Sequence, residues 1–472
     1  MSLVDDSPRV PAANLLFVSL IAGAAALGGF LFGFDSAVIN GAVAGIQEGF
    51  GASSLGTGFA VASILLGCAA GALVAGTLAD RIGRRPVMLI TAVVFAATAV
   101  WAGLAGTSAL FTVARFLSGI AVGAASVVCP AYIAESSPAR LRGRLAALQQ
   151  LGIVGGIFIA LLSDQLLAYL AGGVSAPLGP LAWHLTAWRW MFLVEVIPAA
   201  LFGLAILAVP ESPRFLVSAR REAEALKILR RIEPGTLETR IEEIQRTLMS
   251  AGKARLLDLR DPAGKILPIV WIGITLSALQ QLVGINSIFY YGAALWQAVG
   301  FTSRDALAIN TVTGAVNIVS TLVAMAFVDR IGRRPLLMWG SAGMAATLGV
   351  LVWVFSTGAV TAGGHIALSP HAGLTALVAA NLYVFAFGVS WGPCVWILLG
   401  EMFPNRVRGA ALAVAVFAQW MANWLVTLSF PPIVASFGAV AAYGTYLVFA
   451  LLSFVFVQRK VRETRGIELE DM

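Results

Sequence analysis

Apolar residues in this chain run in blocks of about 20, the length that a helix rising 1.5 Å per residue needs to cross the hydrocarbon core of a bilayer. Such blocks fall near residues 14–36, 56–78, 87–105, 109–133, 146–168 and 189–209. A second set falls near 266–292, 307–328, 335–357, 374–400, 410–430 and 436–457. The pattern predicts an all-α integral membrane fold of twelve spanning helices in two sets of six. Residues 1–13 are polar with one basic residue, Arg9. The block behind them is too long for the apolar core of a secretory signal and contains Asp35, so it reads as the first permanent span.

One long charged stretch, 211–265, separates the two sets. Within it Ala223, Leu226, Leu229 and Ile232 recur at helical spacing, and Ile241, Ile244 and Leu248 continue the pattern. Amphipathic helices outside the membrane are expected there. The domains follow: a first bundle over 1–209, a helical linker over 210–265, a second bundle over 266–458 and a tail over 459–472.

Composition agrees with the blocks. Apolar residues make up 59% of the chain and charged ones 12%, against about 25% charged in soluble domains. Lipid has to cover the surface that a soluble core of this length cannot hide. The net charge of +7 does not point to nucleic acid, because the basic residues sit in short loops. Of the 31 Lys and Arg residues, only Arg115, Arg189 and Arg304 fall outside the N-terminus, every second loop and the C-terminus. That asymmetry places both termini and the middle stretch in the cytoplasm of a cell-membrane protein, and it requires an even number of spans. Cys68, Cys129 and Cys394 lie in or beside apolar blocks with no paired spacing, which predicts packing residues rather than a disulfide or zinc framework.

The two sets repeat. Asp80-Arg81-Ile82-Gly83-Arg84-Arg85-Pro86 recurs unchanged as Asp329-Arg330-Ile331-Gly332-Arg333-Arg334-Pro335. Glu135 stands before Arg142-Gly143 as Glu401 stands before Arg408-Gly409. Pro210-Glu211-Ser212-Pro213-Arg214 follows the sixth block, and Arg462-Glu463-Thr464-Arg465-Gly466 follows the twelfth. Marks in the same order mean a duplicated six-helix unit, and two such halves with a site between them at the midplane are a transporter architecture.

Charges inside spans are functional by default, at about 2.5–3.5 kcal/mol each on insertion scales. Asp35 lies in the first span, Arg115 in the fourth and Glu195 in the sixth. Counted from the basic loops, Asp35 and Arg115 reach a similar depth and can pair. A proton arriving at Asp35 would release Arg115 and repack two helices. Asp164, near the outer end of span five, reads as an interface residue. Amides also recur inside spans: Gln150, Gln280, Gln281, Asn286, Asn317, Gln419 and Asn423, with Trp396 and Trp420 among them. An amide donates and accepts at once, so it grips adjacent hydroxyls, while an indole face suits the C–H surface of a sugar ring. Gly284 marks a place where the seventh span loosens.

These motifs resemble the major facilitator superfamily and, within it, the sugar porter family. Both copies of the Asp-Arg-Ile-Gly-Arg-Arg loop, Pro210–Arg214, Gln280-Gln281 with Asn286, and Glu401 with Arg408-Gly409 carry the resemblance over essentially the whole chain. The C-terminal motif departs slightly, with Arg462 where the family has proline. The resemblance implies two pseudo-symmetric six-helix bundles and a sugar site at Gln150, Gln280, Gln281, Asn286, Asn317, Trp396, Gln419, Trp420 and Asn423. It implies a cytoplasmic latch of Asp80, Glu135 and Arg142, with Asp329, Glu401 and Arg408 in the second half; the recurring spacing points to Glu135–Arg142 and Glu401–Arg408 pairs. It implies a gating region at Phe289, Tyr290 and Tyr291. Proton-coupled members carry Asp where Asp35 stands and facilitative mammalian members carry Asn; bacterial symporters also tend to be acidic at Glu195. Ile157 and Phe289 match glucose-transporting members, whereas the xylose symporter has Gln and Leu there.

The resulting expectation is a proton-coupled monosaccharide importer, with D-glucose as cargo, working as a monomer and needing no cofactor or metal. The alternatives are a uniporter of the same fold and a sugar-binding membrane sensor. Known sensors usually carry long tails, and only about 15 residues follow the last span here. No nucleophile-elbow, zinc-protease or P-loop motif is present, and His184, His365 and His371 fall in outer loops, so an enzyme is not expected.

Overall fold

The computed structural model describes residues 14–138, 141–172, 179–232, 241–242, 244–246, 256–260, 264–360, 366–404 and 407–463. Its first half is built from α1 (Leu15–Ala37), α2 (Ile39–Phe50), α3 (Ser54–Ile82), α4 (Arg84–Leu104), α5 (Ser108–Glu135), α6 (Arg142–Leu170), α7 (Ala187–Leu193) and α8 (Val196–Ala208). The linker holds α9 (Pro213–Ser218) and α10 (Glu222–Ile232). The second half holds α11 (Pro268–Leu282), α12 (Ile285–Ala298), α13 (Ser303–Ile331), α14 (Arg333–Thr357), α15 (Pro370–Val389), α16 (Trp391–Glu401) and α17 (Arg408–Lys460). A two-stranded ribbon, Ala359–Val360 with Ile366–Ala367, joins α14 to α15.

Among the described residues, 11 stretches are long and apolar enough to cross a membrane. The last of them, α17, has 53 residues; as one helix it would be about 80 Å long, against a core of about 30 Å. Gly438, at φ 79 within it, is not helical, and Pro431 and Pro432 lie just ahead. The chain turns there, so α17 supplies the eleventh and twelfth spans. Four further spans are jointed: α1–α2 at Val38, α7–α8 at Val194–Glu195, α11–α12 at Val283–Gly284 and α15–α16 at Ser390. The first span therefore runs Leu15–Phe50, well beyond the expected 14–36, and Asp35 lies near its middle.

Gly284 is where the conformational freedom of glycine is needed. Its φ is 88, and a Cβ there would clash with the Tyr446 ring. The linker differs in register from expectation. Ala225, Leu229 and Ile232 are the buried residues of α10, and Ala223 is exposed. Ile244 does pack against Leu216, Val217 and Ala225, while Leu248 lies outside the described residues. The linker holds the start of the first span: the Asn14 N–H donates to the Ile232 carbonyl at 3.1 Å, and the Arg231 guanidinium lies 4.0 Å from the Phe17 ring centroid.

Candidate transport site

The end of the bundle carrying Arg84, Arg85, Arg333 and Arg334 is here the basic end, and the opposite one the far end. At the basic end the two halves carry the same clasp. Gly83 and Gly332 turn the chain at φ 101 and 102 between successive spans. The bare N–H groups this leaves at the next helix start suit an anion. Glu211 accepts the N–H groups of Arg84 and Arg85 at 3.0 and 3.1 Å. Glu463 accepts those of Arg333 and Arg334, both at 3.0 Å. Burial pushes the Glu211 carboxyl up, and the amides of Ser212, Arg85 and Arg84 pull it back.

The latch pairs differ from the expected ones. Glu135 binds Arg84 at 3.0 Å and takes the Ser212 hydroxyl; Glu401 binds Arg333 at 3.0 Å. Arg408 instead donates Nε to the Phe403 carbonyl at 3.1 Å, and one of its terminal nitrogens is buried without a bond. The physical reason is that α16 ends at Glu401 and the chain turns before α17 begins, so a spacing of seven no longer puts the two on one helix face. Asp80 pairs with Arg84 at 2.9 Å. The side chains of Arg142 and Asp329 lie outside the described residues.

Deeper in the first half, the Arg115 guanidinium binds the Asp35 carboxylate and also donates to the Asp35 carbonyl at 3.0 Å. The Ser118 hydroxyl, one turn on, donates to the other carboxylate oxygen. Asp35 and Arg115 are essentially inaccessible to solvent, and Arg115 also packs over the Phe192 ring. Glu195 is buried at the α7–α8 joint, with one oxygen unpartnered. Asp164, expected at an interface, is fully buried; its Oδ2 accepts the Gly41 N–H at 3.2 Å.

The second half brings amides together across helix breaks. Asn286 donates to Gln281 at 2.6 Å, Gln281 to Gln280 at 3.3 Å, and Gln280 to the Trp391 carbonyl at 2.8 Å, where α15 gives way to α16. On α17, Asn423 accepts from Thr427 at 3.2 Å, while Gln419 Oε1 and Trp420 Nε1 are buried without partners. One acceptor and one donor are thus left for a polar ligand or for water. Trp420 meets Phe32 of the first half at 5.7 Å. Asn317 packs toward Gly388 of α15. Gln150 is half-buried and Trp396 is 41% exposed, and neither is hydrogen-bonded to the amide chain. The donors and acceptors form a set for an uncharged, hydroxyl-rich ligand.

At the far end the polar bonds cross between halves. Asn40 on α2 donates to the carbonyls of Phe289 at 2.9 Å and Ile288 at 3.3 Å, and accepts the Ala293 N–H at 3.0 Å and the Asn310 amide at 2.8 Å. Thr311 donates to Gln165 at 2.8 Å. The expected gating residues Phe289, Tyr290 and Tyr291 are all buried behind this seam, and Tyr291 stacks on Phe430 at 5.1 Å. The sequence reading missed Asn40, Asn310 and Ser118. The available signal was a polar residue inside an apolar block, which also describes many residues that only join helices.

The model for sugar (and other) transporters matches residues 21–472. The chain belongs to the sugar porter family. It is 53% identical over 466 residues to a glucose transport protein of Synechocystis, covering 99% of both chains. It is 37% identical over 494 residues to the D-xylose–proton symporter of Escherichia coli K12, covering 97% of this chain and 96% of that one. It also superposes on the partially occluded, inward-open xylose transporter of Escherichia coli with a TM-score of 0.82 at 34% identity, over 96% of this chain and all of the other. This sugar porter is therefore a multi-pass membrane transporter and not an enzyme.

Proposed function

We propose that this porter imports a neutral monosaccharide, D-glucose first, together with a proton by alternating access, with the basic end, both termini and the linker in the cytoplasm. The observation that carries the reading is the division of the interior. A buried carboxylate–guanidinium pair, Asp35–Arg115, lies in the first half, and an amide and indole set lies in the second, meeting it through Phe32 and Trp420. The sugar would be held by Gln280, Gln281, Asn286, Gln419, Trp420 and Asn423, with Gln150, Asn317 and Trp396 closing on it.

A proton on Asp35 frees Arg115, which then seeks another partner, and Glu195 lies within its field. That exchange repacks α1 against α5 and biases the far end between open and closed. Phe289, Tyr290 and Tyr291 gate the outside. At the cytoplasmic end the Arg84–Glu135 and Arg333–Glu401 pairs hold each half together, and Asp80, Asp329, Arg142 and Arg408 complete the latch of this reading when that end closes. Glucose is favoured by the cargo named for the Synechocystis relative and by Ile157 and Phe289. The sealed Asp35–Arg115–Ser118 cluster favours a second reading, a static ion pair in a uniporter.

Labelled sugar uptake into proteoliposomes separates the two. Symport predicts accumulation when the outside is made acidic, with glucose competing better than xylose and organic acids not competing. Equilibration without accumulation identifies a uniporter, and competition by an anion removes the sugar assignment.

A further inference from the structure

The carboxyl of Asp164 has no part in the cycle described above. It projects from α6 and is fully buried. Oδ2 accepts the Gly41 N–H of α2 at 3.2 Å, and Oδ1 is buried without a partner. The charged and titratable groups around it are engaged elsewhere or exposed. Asp35 is bound by Arg115. Glu48 lies on the exposed last turn of α2, and His184 is exposed before α7. Arg189 of α7 donates to the carbonyls of Gly103 and Ala105. Glu195 is buried at the α7–α8 joint, and no hydrogen bond joins it to Asp164. Across the seam Tyr291 of α12 donates to the Thr427 carbonyl. Arg304 of α13 lies over the Tyr169 ring, and Asp305 is bound to Thr302.

Its neighbours in sequence make the position informative. Gly41 follows Asn40, whose amide joins α2 to α12 and α13. Gln165 follows Asp164 and takes the Thr311 hydroxyl of α13. The Asp164–Gly41 contact thus ties together the two elements of the first half that close the far end. An ionised carboxylate without a counter-charge is very costly in such a place, and the neutral acid costs far less. Once the second half moves away, water reaches the α2–α6 surface and the ionised form is tolerated.

We propose that Asp164 is a second proton-binding carboxyl of the transport cycle, taking a proton from far-side water as that end closes and returning it there as the end opens. The proposal rests on the alternating-access reading but not on the identity of the cargo or on coupling at Asp35. Closure is then proton-linked on its own, and alkaline conditions outside favour the open far end.

The test uses full-length protein in liposomes without sugar. Gly314→Cys serves as a reporter, because a Cβ there meets Leu161 and Phe158 of the first half at 3.2 and 3.3 Å, and the native cysteines are all buried. Labelling by a membrane-impermeant maleimide is followed across pH with Asp164 intact and with Asp164→Asn, which keeps the shape and the acceptor for Gly41. The ratio of the two rates cancels the thiol's own chemistry. It should rise with pH, by up to about tenfold per unit where the carboxyl titrates, and Asp35→Asn should leave that rise in place. Asp164→Ser, which keeps an oxygen but cannot titrate, should behave as Asp164→Asn does and serves if the latter is not monodisperse. A ratio independent of pH, or one flattened by Asp35→Asn, overturns the proposal. Loss of pH-driven sugar accumulation with the ratio intact strikes the symport reading alone.

Discussion

The two halves of this transporter share a clasp and differ inside. At the basic end Glu211 and Glu463, Arg84 and Arg333, and Glu135 and Glu401 occupy matching places with matching bonds. In the interior the first half buries Asp35, Arg115 and Glu195, where the second builds a chain of amides through Gln280, Gln281 and Asn286. Duplication kept the part that holds each half rigid and let the rest diverge. The buried ion pair went to one half and the chain of amides to the other. A rigid clasp on each side is what lets the halves move as bodies about a site between them.

The largest expected effect breaks the charged half. Arg115→Ala leaves the Asp35 carboxylate buried and uncompensated, which costs about 3–5 kcal/mol; thermal unfolding in detergent should show a much lower midpoint. Adding Asp35→Asn to that variant should restore much of the loss, whereas no rescue would mean that the two do not share one interaction.

The clasp comes next, and it tests the equivalence of the halves. Glu211→Gln and Glu463→Gln each weaken the bonds to the N–H groups of the two arginines at the next helix start, each worth about 1.5–3 kcal/mol when the acceptor is charged. Their unfolding shifts should match, and a large asymmetry would show that only one clasp matters. Glu401→Gln and Arg333→Ala should be non-additive by about 0.5–3 kcal/mol. Glu401→Gln and Arg408→Ala should add, because Arg408 bonds to Phe403 in this state.

The smallest effect concerns the amide half. Gln281→Ala should weaken sugar binding about 2- to 12-fold, the worth of one hydrogen bond to a neutral hydroxyl, without altering the pH dependence of transport. Unchanged binding in a monodisperse protein would remove Gln281 from the site.

Much of this was legible because membranes leave few choices. Spans must be long and apolar, and Lys and Arg collect on one side, so the two sets of six follow from hydropathy and charge alone. The Gly284 break and the Asp35–Arg115 pairing were legible for related reasons, since a glycine among polar residues and two charges at one depth leave little else to do. Where contact depends on how helices end, the sequence misled. Glu401 stands seven residues from Arg408, yet it binds Arg333, far away in sequence at the start of α14. Asn40 was invisible as the centre of the far-end seam, because its partners are mostly backbone groups of α12, which have no sequence signature.

The division of labour between the halves is tested most directly by Asp35→Asn in proteoliposomes, comparing pH-driven accumulation with exchange of labelled for unlabelled sugar in the same vesicles. The account predicts that exchange persists, because the amide half still binds sugar, while accumulation under an acidic outside is lost. A variant that still concentrates sugar against its gradient would contradict the assignment of the proton to Asp35.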